Sequence, residues 1–156
     1  MRINLVVVGN LKEKYLKSAC DEYIKRISRY HKIDVIEVAE EKLPKNYKDV
    51  DVARALVREG NKILEHVHGY MVVMDIHGKQ MDSERFAGLF QQTALNYDTI
   101  TFVIGSSYGL SESVKDRADM LLSVSNMTFP HQLFRVMLLE QIYRATAINN
   151  NVLYHK

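Results

Sequence analysis

Five strand-like segments recur along the chain, and each is followed by a segment with helical spacing of its apolar residues. The strand-like segments are Ile3–Val8, Ile33–Val38, Tyr70–Ile76, Thr99–Ile104 and Met120–Val124. Most are nearly continuous apolar runs, which is typical of strands buried in a parallel sheet. The alternation predicts an α/β fold with a mostly parallel sheet sandwiched by helices. No repeat or linker divides the 156 residues, so we expect a single domain over residues 1–156.

The helical segments are less sharply bounded than the strands. Spacing of apolar residues predicts helices over Leu11–Tyr30, Asp51–Val67, Ser83–Ala94 and Ser111–Ala118. Ile33–Val38 alternates apolar residues with acidic ones, which favours a position near the edge of the sheet, and His77-Gly78 is expected to close the third strand. Glu40–Asp49 is predicted to be a loop.

The last helix should begin at about Phe129–His131, because proline suits the first turn of a helix and Thr128 is a candidate N-cap. From Leu133 to Ile148 its apolar residues cover most of the circumference. A helix of this kind must be buried on more than one side. We therefore expect it to pack against its own domain on one face and against a second subunit on the other.

Composition excludes several classes of protein. The chain is 47% hydrophobic and 26% charged, as in ordinary soluble proteins, and its one cysteine cannot form an internal disulfide. Cys20 lies on the apolar face of the first predicted helix and is read as a core residue. Ile3–Val8 is too short for a signal sequence or a membrane span, so we expect a cytoplasmic location. His66 and His68 have unsuitable spacing for a metal pair on a helix, and we expect no metal.

Positive charge is concentrated near the start of the chain. The net charge is only +2, but Lys12–Lys32 contains seven lysine or arginine residues against three acidic ones. This segment is either a solvated helix face or a surface that contacts RNA phosphates.

Three predicted loops lie at the carboxyl ends of strands, where parallel sheets bind ligands. They are located around Met74–Ile76, Gly105–Gly109 and Val124–Phe129. The spacing Gly105-x-x-x-Gly109 matches neither a dinucleotide fingerprint nor a phosphate loop, and the chain has no nucleophile elbow and no cysteine cluster. The alternative is that these residues are an ordinary turn glycine and ordinary core residues. If they form a site, it suits chemistry whose reactivity is carried by a cofactor.

Four motifs in this order resemble the large-subunit ribosomal RNA pseudouridine N3-methyltransferases of the SPOUT class. They are Val7-Val8-Gly9 with Leu11–Tyr15, Ile104-Gly105 with Gly109-Leu110, Leu122–Arg144 with Pro130-His131 and Glu140–Ala145, and the terminal Tyr154-His155-Lys156. The resemblance spans the whole chain. It implies S-adenosylmethionine as the cofactor, a SPOUT fold with a C-terminal trefoil knot, an obligate homodimer, and ribosomal RNA as the partner.

The resemblance also assigns residues. The cofactor contacts are expected at Met74, Gly105, Val124, Ser125, Asn126, Met127, Thr128 and Phe129, and the residues near the target nucleoside at His131, Arg144, Tyr154 and His155. Histidine side chains titrate near neutrality, so His131 and His155 are both candidates to accept the proton of the pseudouridine imide. Arg144 either binds a uracil carbonyl or phosphate, or pairs with Glu140 one turn away. The terminal Tyr-His-Lys is expected to fold over the substrate site of the neighbouring subunit.

Two segments depart from the family pattern. Ser106 stands where the family usually has a second glycine, and Ile148–Leu153 lacks the usual basic residue and glycine. Two other interpretations stay open, and the second is independent of the resemblance. The chain is a divergent relative that binds cofactor or RNA but modifies another target or none, or a flavodoxin-like module that binds a phosphorylated ligand.

Overall fold

The computed structural model describes residues 1–156. Five strands and five helices alternate in the order β1 Arg2–Val8, α1 Lys14–Ile27, β2 Lys32–Val38, α2 Asp49–Leu64, β3 Tyr70–Gln80, α3 Ser83–Thr93, β4 Thr99–Ile104, α4 Glu112–Arg117, β5 Met120–Ser123 and α5 His131–Asn149. The strands form one sheet in the order β2-β1-β4-β3-β5, and every pairing is parallel. The predicted α/β class is confirmed, and β2 lies at an edge as its alternating pattern indicates.

The two faces of the sheet pack against different helices. On β1, Ile3, Leu5 and Val7 join a buried cluster with residues of α1, α3 and α5. Their neighbours Val6 and Val8 point to the opposite face and join a second cluster with residues of α2 and α4. Because both faces of the strand are covered, its sequence is apolar without interruption. Cys20 belongs to the first cluster and is only 3% exposed, which confirms it as a core residue.

Helix boundaries differ most from the sequence prediction at α1 and α2, whereas α3 and α4 differ by a single residue at one or both ends. The first helix is shorter than Leu11–Tyr30. The second begins at Asp49 rather than Asp51 and ends at Leu64 rather than Val67. The early start has a local cause, because the Asp51 carboxylate accepts a hydrogen bond from the Lys48 amide at 2.8 Å. Asp51 therefore caps the first turn from inside the helix.

Strand β3 does not end at His77-Gly78, contrary to the sequence prediction. It runs to Gln80 through an irregularity in its pairing with β5. Both Met74 and Lys79 pair with Leu122, so the four residues between them leave the ladder and return to it. The prediction failed because glycine and histidine were read as the end of the strand, whereas here they belong to a bulge within it.

Helix α5 begins as predicted, at His131, but its cap is Pro130 rather than Thr128. Pro130 has an extended backbone (φ −55°, ψ 132°), and no side chain caps the helix. The prediction of Thr128 as the N-cap is therefore wrong, because Thr128 lies two residues before the capping position. The helix packs against α1, α3 and the sheet, and part of its apolar surface is uncovered: Leu133 is 40% exposed, and Val136 and Met137 are half-buried.

None of the five helices combines the length and the apolar character that crossing a membrane requires.

Candidate functional site

A cleft of about 700 Å³ opens at the edge of the sheet where β3, β4 and β5 end. Its walls come from the three loops that follow these strand ends, and from the start of α5. The lining residues include Met74–His77, Ile104–Ser107, Gly109, Leu110, Lys115, Leu122–Ser125, Met127–His131 and Phe134. The volume falls within the range typical of small-molecule sites, and the mixture of apolar walls and exposed loop backbone is also typical of them.

The first wall is the bulge of β3. At Gly78 a Cβ atom would lie 2.6 Å from the backbone of Leu121 and of Leu122, so only glycine permits this close approach. The Asp75 carboxylate accepts a hydrogen bond from the His77 amide at 2.8 Å and lies 3.0 Å from the Lys115 ammonium. Burial alone would raise the pKa of Asp75, but these two partners outweigh it, and the pKa lies below its usual value. The carboxylate is thus ionised and fixed beside the cleft.

The second wall is the turn after β4. A hydrogen bond from the Gly109 amide to the Ser106 carbonyl at 2.9 Å closes the turn. A Cβ at Gly105 would lie 2.5 Å from the Gly109 carbonyl oxygen, so a larger residue would open the turn. Ser106 is not in the left-handed region, since the only non-glycine residues with positive φ are Asn46 and Asn151. Ser106 therefore carries no backbone strain.

The third wall is the loop between β5 and α5, which is held by its own serines. The Ser123 hydroxyl donates to the Ser125 carbonyl, and the Ser125 hydroxyl accepts from the Met127 amide, both at 2.9 Å. The Gln80 side-chain amide donates to Asn126 at 2.8 Å. These bonds give the loop a defined shape without a helix cap.

Seven of the eight residues expected to contact a cofactor line this cleft. They are Met74, Gly105, Val124, Ser125, Met127, Thr128 and Phe129. Asn126 is the exception, because its side chain is exposed and turned toward Gln80. His131 also lines the cleft, at the first turn of α5.

The other three residues expected near the substrate form a separate cluster at the far end of α5. Arg144 donates to Glu140 Oε1 from Nε at 3.1 Å and from Nη2 at 2.6 Å. The Tyr154 hydroxyl donates to the same oxygen at 3.0 Å, and the Arg144 guanidinium lies 4.8 Å from the centre of the Tyr154 ring. The pairing of Arg144 with Glu140 is therefore present. At 1.5 Å per residue, the helix separates His131 from Arg144 by about 20 Å.

The protonation states of this cluster follow from its contacts. Arg144 Nη1 lies 3.2 Å from His155 Nδ1, and a guanidinium can only donate, so Nδ1 accepts. His155 Nε2 then carries the proton and donates it to Glu84 at 2.8 Å. Burial, followed by hydrogen bonds with Tyr23 and Glu140, raises the pKa of Tyr154 well above its usual value. Tyr154 is therefore a neutral phenol.

The last residues of the chain fold back on their own subunit. Asn151 adopts a left-handed conformation (φ 54°), which asparagine tolerates better than most residues, and the Val152 amide donates to the Ala147 carbonyl at 2.9 Å. The turn then brings the Tyr154 ring against Tyr143, with ring centroids 4.8 Å apart. The Tyr-His-Lys end is thus an ordered extension of α5.

Three charged residues near these sites were not singled out in the sequence. They are Asp75, Lys115 and the buried Arg135, whose guanidinium reaches Glu37 at 3.1 Å and the Gly9 carbonyl at 3.0 Å. Of these three, only Arg135 could have been identified from the sequence, since it is a charged residue in a helix whose apolar residues cover most of the circumference. No group of three or more histidine, cysteine, aspartate or glutamate side chains is spaced to hold a metal ion.

A family model described as "Predicted SPOUT methyltransferase" matches residues 1–155. The chain belongs to the SPOUT methyltransferase family. Among curated SPOUT relatives, the "Ribosomal RNA large subunit methyltransferase H" of Clostridium botulinum strain Langeland is 50% identical over 161 residues and covers all of both chains. The "Putative ribosomal RNA large subunit methyltransferase H" of Methanococcus maripaludis is 46% identical over 159 residues, again with full coverage. The chain is thus a methyltransferase, and it requires a methyl donor.

Solved structures of other proteins share the fold of this chain. A probable methylase family protein from Haemophilus influenzae has a TM-score of 0.54 at 10% identity, covering 99% of this chain and 70% of that one. The tRNA (m1G37) methyltransferase from Aquifex aeolicus has a TM-score of 0.52 at 13% identity, covering 92% of this chain and 70% of that one. At these identities the likeness concerns the fold alone.

Proposed function

We propose that the protein transfers a methyl group from S-adenosylmethionine to N3 of a pseudouridine in large-subunit ribosomal RNA. The cleft at the ends of β3, β4 and β5 is the observation that carries this proposal, because it is lined by seven of the eight residues expected to bind the cofactor. The named relatives, which match over their full length, support ribosomal RNA as the substrate.

The cleft suits the proposed cofactor in size and chemistry. Met74, Ile104 and Phe134 offer apolar walls for an adenine ring, and the turn at Gly105 leaves backbone N–H and C=O groups beside them. Ser125 and Thr128 add hydroxyl groups for the polar parts of the molecule. When bound, S-adenosylmethionine supplies a methyl carbon on a positively charged sulfur, which leaves as a neutral thioether.

The residues of this chain then have to align the target base and remove its N3 proton. His131 is the proposed proton acceptor because it lines the cleft. His155 is less suited to that role, since both of its ring nitrogens are engaged, by Arg144 and by Glu84. We propose that Arg144 and Tyr154 bind the nucleoside and that Glu140 and His155 hold them in place.

This assignment requires two subunits, because one chain keeps His131 and Arg144 about 20 Å apart. We propose a homodimer in which the Arg144 cluster of one subunit completes the cleft of the other. The uncovered apolar residues Leu133, Val136 and Met137 on α5 support such an interface.

The family resemblance supports a C-terminal trefoil knot and a single SPOUT domain over residues 1–156. It also supports action on ribosomes in the cytoplasm, without a metal. The basic residues of α1, which are largely exposed, are proposed to contact RNA phosphates.

The test is transfer of a labelled methyl group from S-adenosylmethionine to ribosomes that lack the modification. Whole ribosomes, isolated large subunits and naked ribosomal RNA are compared, and a parallel set contains uridine in place of pseudouridine. Label on N3 of a pseudouridine, absent from the uridine set, is the expected result. Cofactor binding without any label would contradict the proposed substrate and favour a divergent relative with another target.

A pair of variants tests whether the cleft binds the cofactor. Val124→Arg places a long charged side chain at a half-exposed position in the cleft wall, and we expect it to weaken S-adenosylmethionine binding by at least about tenfold. Val57→Arg makes the same change at a similarly exposed position of α2 outside the cleft. Calorimetric titration of both is the measurement. Equal affinities of the two variants for S-adenosylmethionine would show that the cofactor binds elsewhere.

A further inference from the structure

Two exposed tyrosines meet beside the cleft, although they come from distant parts of the chain. Tyr47 belongs to the segment that connects β2 to α2, and Tyr108 belongs to the turn after β4. The Tyr108 hydroxyl donates to the Tyr47 hydroxyl at 2.9 Å, and the two ring centroids lie 6.0 Å apart. These two residues form a tyrosine pair on the surface of the protein.

The tyrosine pair presents flat aromatic surface to solvent. Tyr47 is 48% exposed and Tyr108 is 46% exposed. The rings meet edge to face at an interplanar angle of 80°, so the ring of one tyrosine covers at most one face of the other. The hydrogen bond with Tyr47 is the main cause that raises the pKa of Tyr108, so this phenol is uncharged at neutral pH. The pair therefore offers ring faces on which a planar ligand can stack.

The backbone around Tyr47 is restricted before any ligand binds. Proline fixes the φ angle at Pro44. Asn46 adopts a left-handed conformation (φ 59°) within a turn, which asparagine tolerates better than most residues. Directly after Tyr47, the Lys48 amide donates to the Asp51 carboxylate at 2.8 Å and anchors the segment to α2. A ligand that stacks on Tyr47 therefore has little chain to order.

Positive charge accompanies the tyrosine pair on the connecting segment. Residues 42–48 contain no acidic residue and three exposed lysines. These are Lys42, Lys45 and Lys48, and none of them is in an ion pair. The preceding Glu41 is paired with the Lys62 ammonium at 2.7 Å. Aromatic rings beside unpaired positive charges are the combination by which proteins bind single-stranded nucleic acid, the rings to bases and the charges to phosphates.

The tyrosine pair lies at the rim of the cleft. Ser107 and Gly109, on either side of Tyr108, both line the cleft, whereas neither Tyr108 nor Tyr47 does. The two tyrosines are thus outside the space available to a cofactor, but within one residue of its wall. RNA that places a nucleoside in the cleft would bring the neighbouring nucleotides within reach of the pair.

We propose that the tyrosine pair binds an unpaired nucleobase of the RNA substrate by stacking, while Lys45 and Lys48 contact its phosphates. This inference rests on the proposed function, because it takes RNA to be the substrate and the cleft to be the site of methyl transfer. Stacking on an aromatic ring tolerates every base, so the pair holds a strand near the cleft without reading its sequence. Bases within a double helix are not available for such stacking, so the pair selects a loop or a single strand.

The first test is fluorescence anisotropy with a labelled oligouridylate of about 12 nucleotides, the length of a typical single-strand site. Tyr47→Ala and Tyr108→Ala each remove one ring, and each should raise the dissociation constant about tenfold. Tyr47→Phe keeps the ring and should bind within about threefold of the wild type. An abasic oligomer of the same length keeps the phosphates, and it should bind the wild type as weakly as oligouridylate binds the alanine variants.

Tyr97→Ala is the matched control, because Tyr97 is a similarly exposed tyrosine at the opposite edge of the sheet. It is 41% exposed, and its ring centroid lies 5.6 Å from that of Tyr70, the first residue of β3. This variant should bind oligouridylate as the wild type does. Lys45→Ala tests the phosphate contact: it should lower the slope of log affinity against log salt concentration by about 0.7, the value for one phosphate of a single strand.

The second test is methyl transfer to ribosomes by Tyr47→Ala, with thermal unfolding to establish that the variant is folded. The KM for ribosomes should rise, whereas kcat and the affinity for S-adenosylmethionine should stay at wild-type values, because the lost contact is made equally in the ground state and the transition state. A fall in kcat with an unchanged KM would contradict a role in RNA binding.

Three results would overturn the inference. They are equal affinity of the wild type, Tyr47→Ala and Tyr108→Ala for oligouridylate, no binding of oligouridylate by the wild type, and a change of oligomeric state in Tyr47→Ala, which would make the tyrosine pair a protein interface. Binding of oligouridylate that depends on the tyrosine pair, without methylation of any pseudouridine, would instead overturn the proposed function. The two failures are therefore distinguishable.

Discussion

Arg135 is costly to bury, because a guanidinium that is 4% exposed must find partners inside the protein. It finds the Glu37 carboxylate and the Gly9 carbonyl, which lie at the ends of β2 and β1. The side chain therefore ties the edge of the sheet to α5. A buried charge is tolerated only while its partners are present.

This arrangement predicts an asymmetry between the two members of the ion pair. Glu37→Ala leaves the guanidinium buried without a counter-charge and should lower the free energy of unfolding by about 2–3 kcal/mol, although Glu37 is itself half-exposed. Arg135→Met removes the buried charge and keeps most of the side-chain volume. It should therefore lower the free energy of unfolding by less than Glu37→Ala does. Urea unfolding of both variants measures the difference. A larger loss in Arg135→Met would contradict this account.

Cys20 should be chemically inert in the folded protein. Burial is the main reason that its pKa is raised to about 11, so the thiol stays protonated at neutral pH and has no access to reagents. We expect native protein to react with an aromatic disulfide reagent far more slowly than protein unfolded in guanidinium, with little acceleration between pH 7 and pH 9. Equal rates in the two states would show that the thiol is accessible.

The last residues of the chain pack at the end of α5 that lies away from the cleft. Residues after Asn151 contact α5 and α3 through Tyr143, Glu140 and Glu84, and none of them lines the cleft. Under the proposed function, cofactor binding and substrate binding therefore depend on opposite ends of α5.

Deletion of Val152–Lys156 should spare cofactor binding and abolish methyl transfer, because it removes Tyr154 and His155 while leaving every cleft residue in place. Calorimetry and the labelled-methyl assay measure the two effects. Asn151→Gly is the matched control, since glycine suits the left-handed backbone and should leave both activities intact. Methyl transfer by the truncated protein would exclude a role for the tail.

The sequence predicted the elements better than their junctions. Nearly unbroken apolar runs located four of the strands, because burial on both faces leaves such a pattern, and an alternating pattern located β2. Two predictions at junctions were wrong. Thr128 is a residue type that often caps helices, but the capping position of α5 is Pro130. His77-Gly78 is typical of a strand end, but these residues belong to a bulge within β3. A bulge depends on the strand with which the segment pairs, and local sequence does not reveal that strand.

The candidate site was predictable where it follows from topology. Loops at the carboxyl ends of parallel strands meet at one edge, and the three expected loops do line one cleft. Asp75 and Lys115 were not found, because their importance comes from a contact between distant segments. The separation of His131 from Arg144 also needed the structure, since it depends on α5 continuing without a break.

The uncovered surface of α5 predicts how the protein assembles. Leu133 is 40% exposed, Met137 is half-buried, and the nearby loop residue Met127 is 74% exposed. Isolated exposed apolar residues are ordinary, but a set of them on a helix that is apolar on all sides indicates an interface.

Met137→Glu combined with Leu133→Glu should convert the proposed homodimer to a monomer, because two carboxylates on each copy would be desolvated at the interface. Sedimentation velocity measures the change, and methyl transfer should be lost with it. Leu95→Glu is the control, since Leu95 is 82% exposed in the loop between α3 and β4. A wild-type monomer would remove the basis for a shared site.

The bulge of β3 also marks a segment whose length can be changed without changing the strand pairing on either side of it. Because Met74 and Lys79 both pair with Leu122, the ladder is fixed on either side of Asp75–Gly78, and the sheet does not depend on the number of residues between. Insertions or deletions there would reshape one wall of the cleft while the buried strands keep their partners. Evolution and protein engineering thus have one short segment in which ligand selectivity can be altered separately from folding.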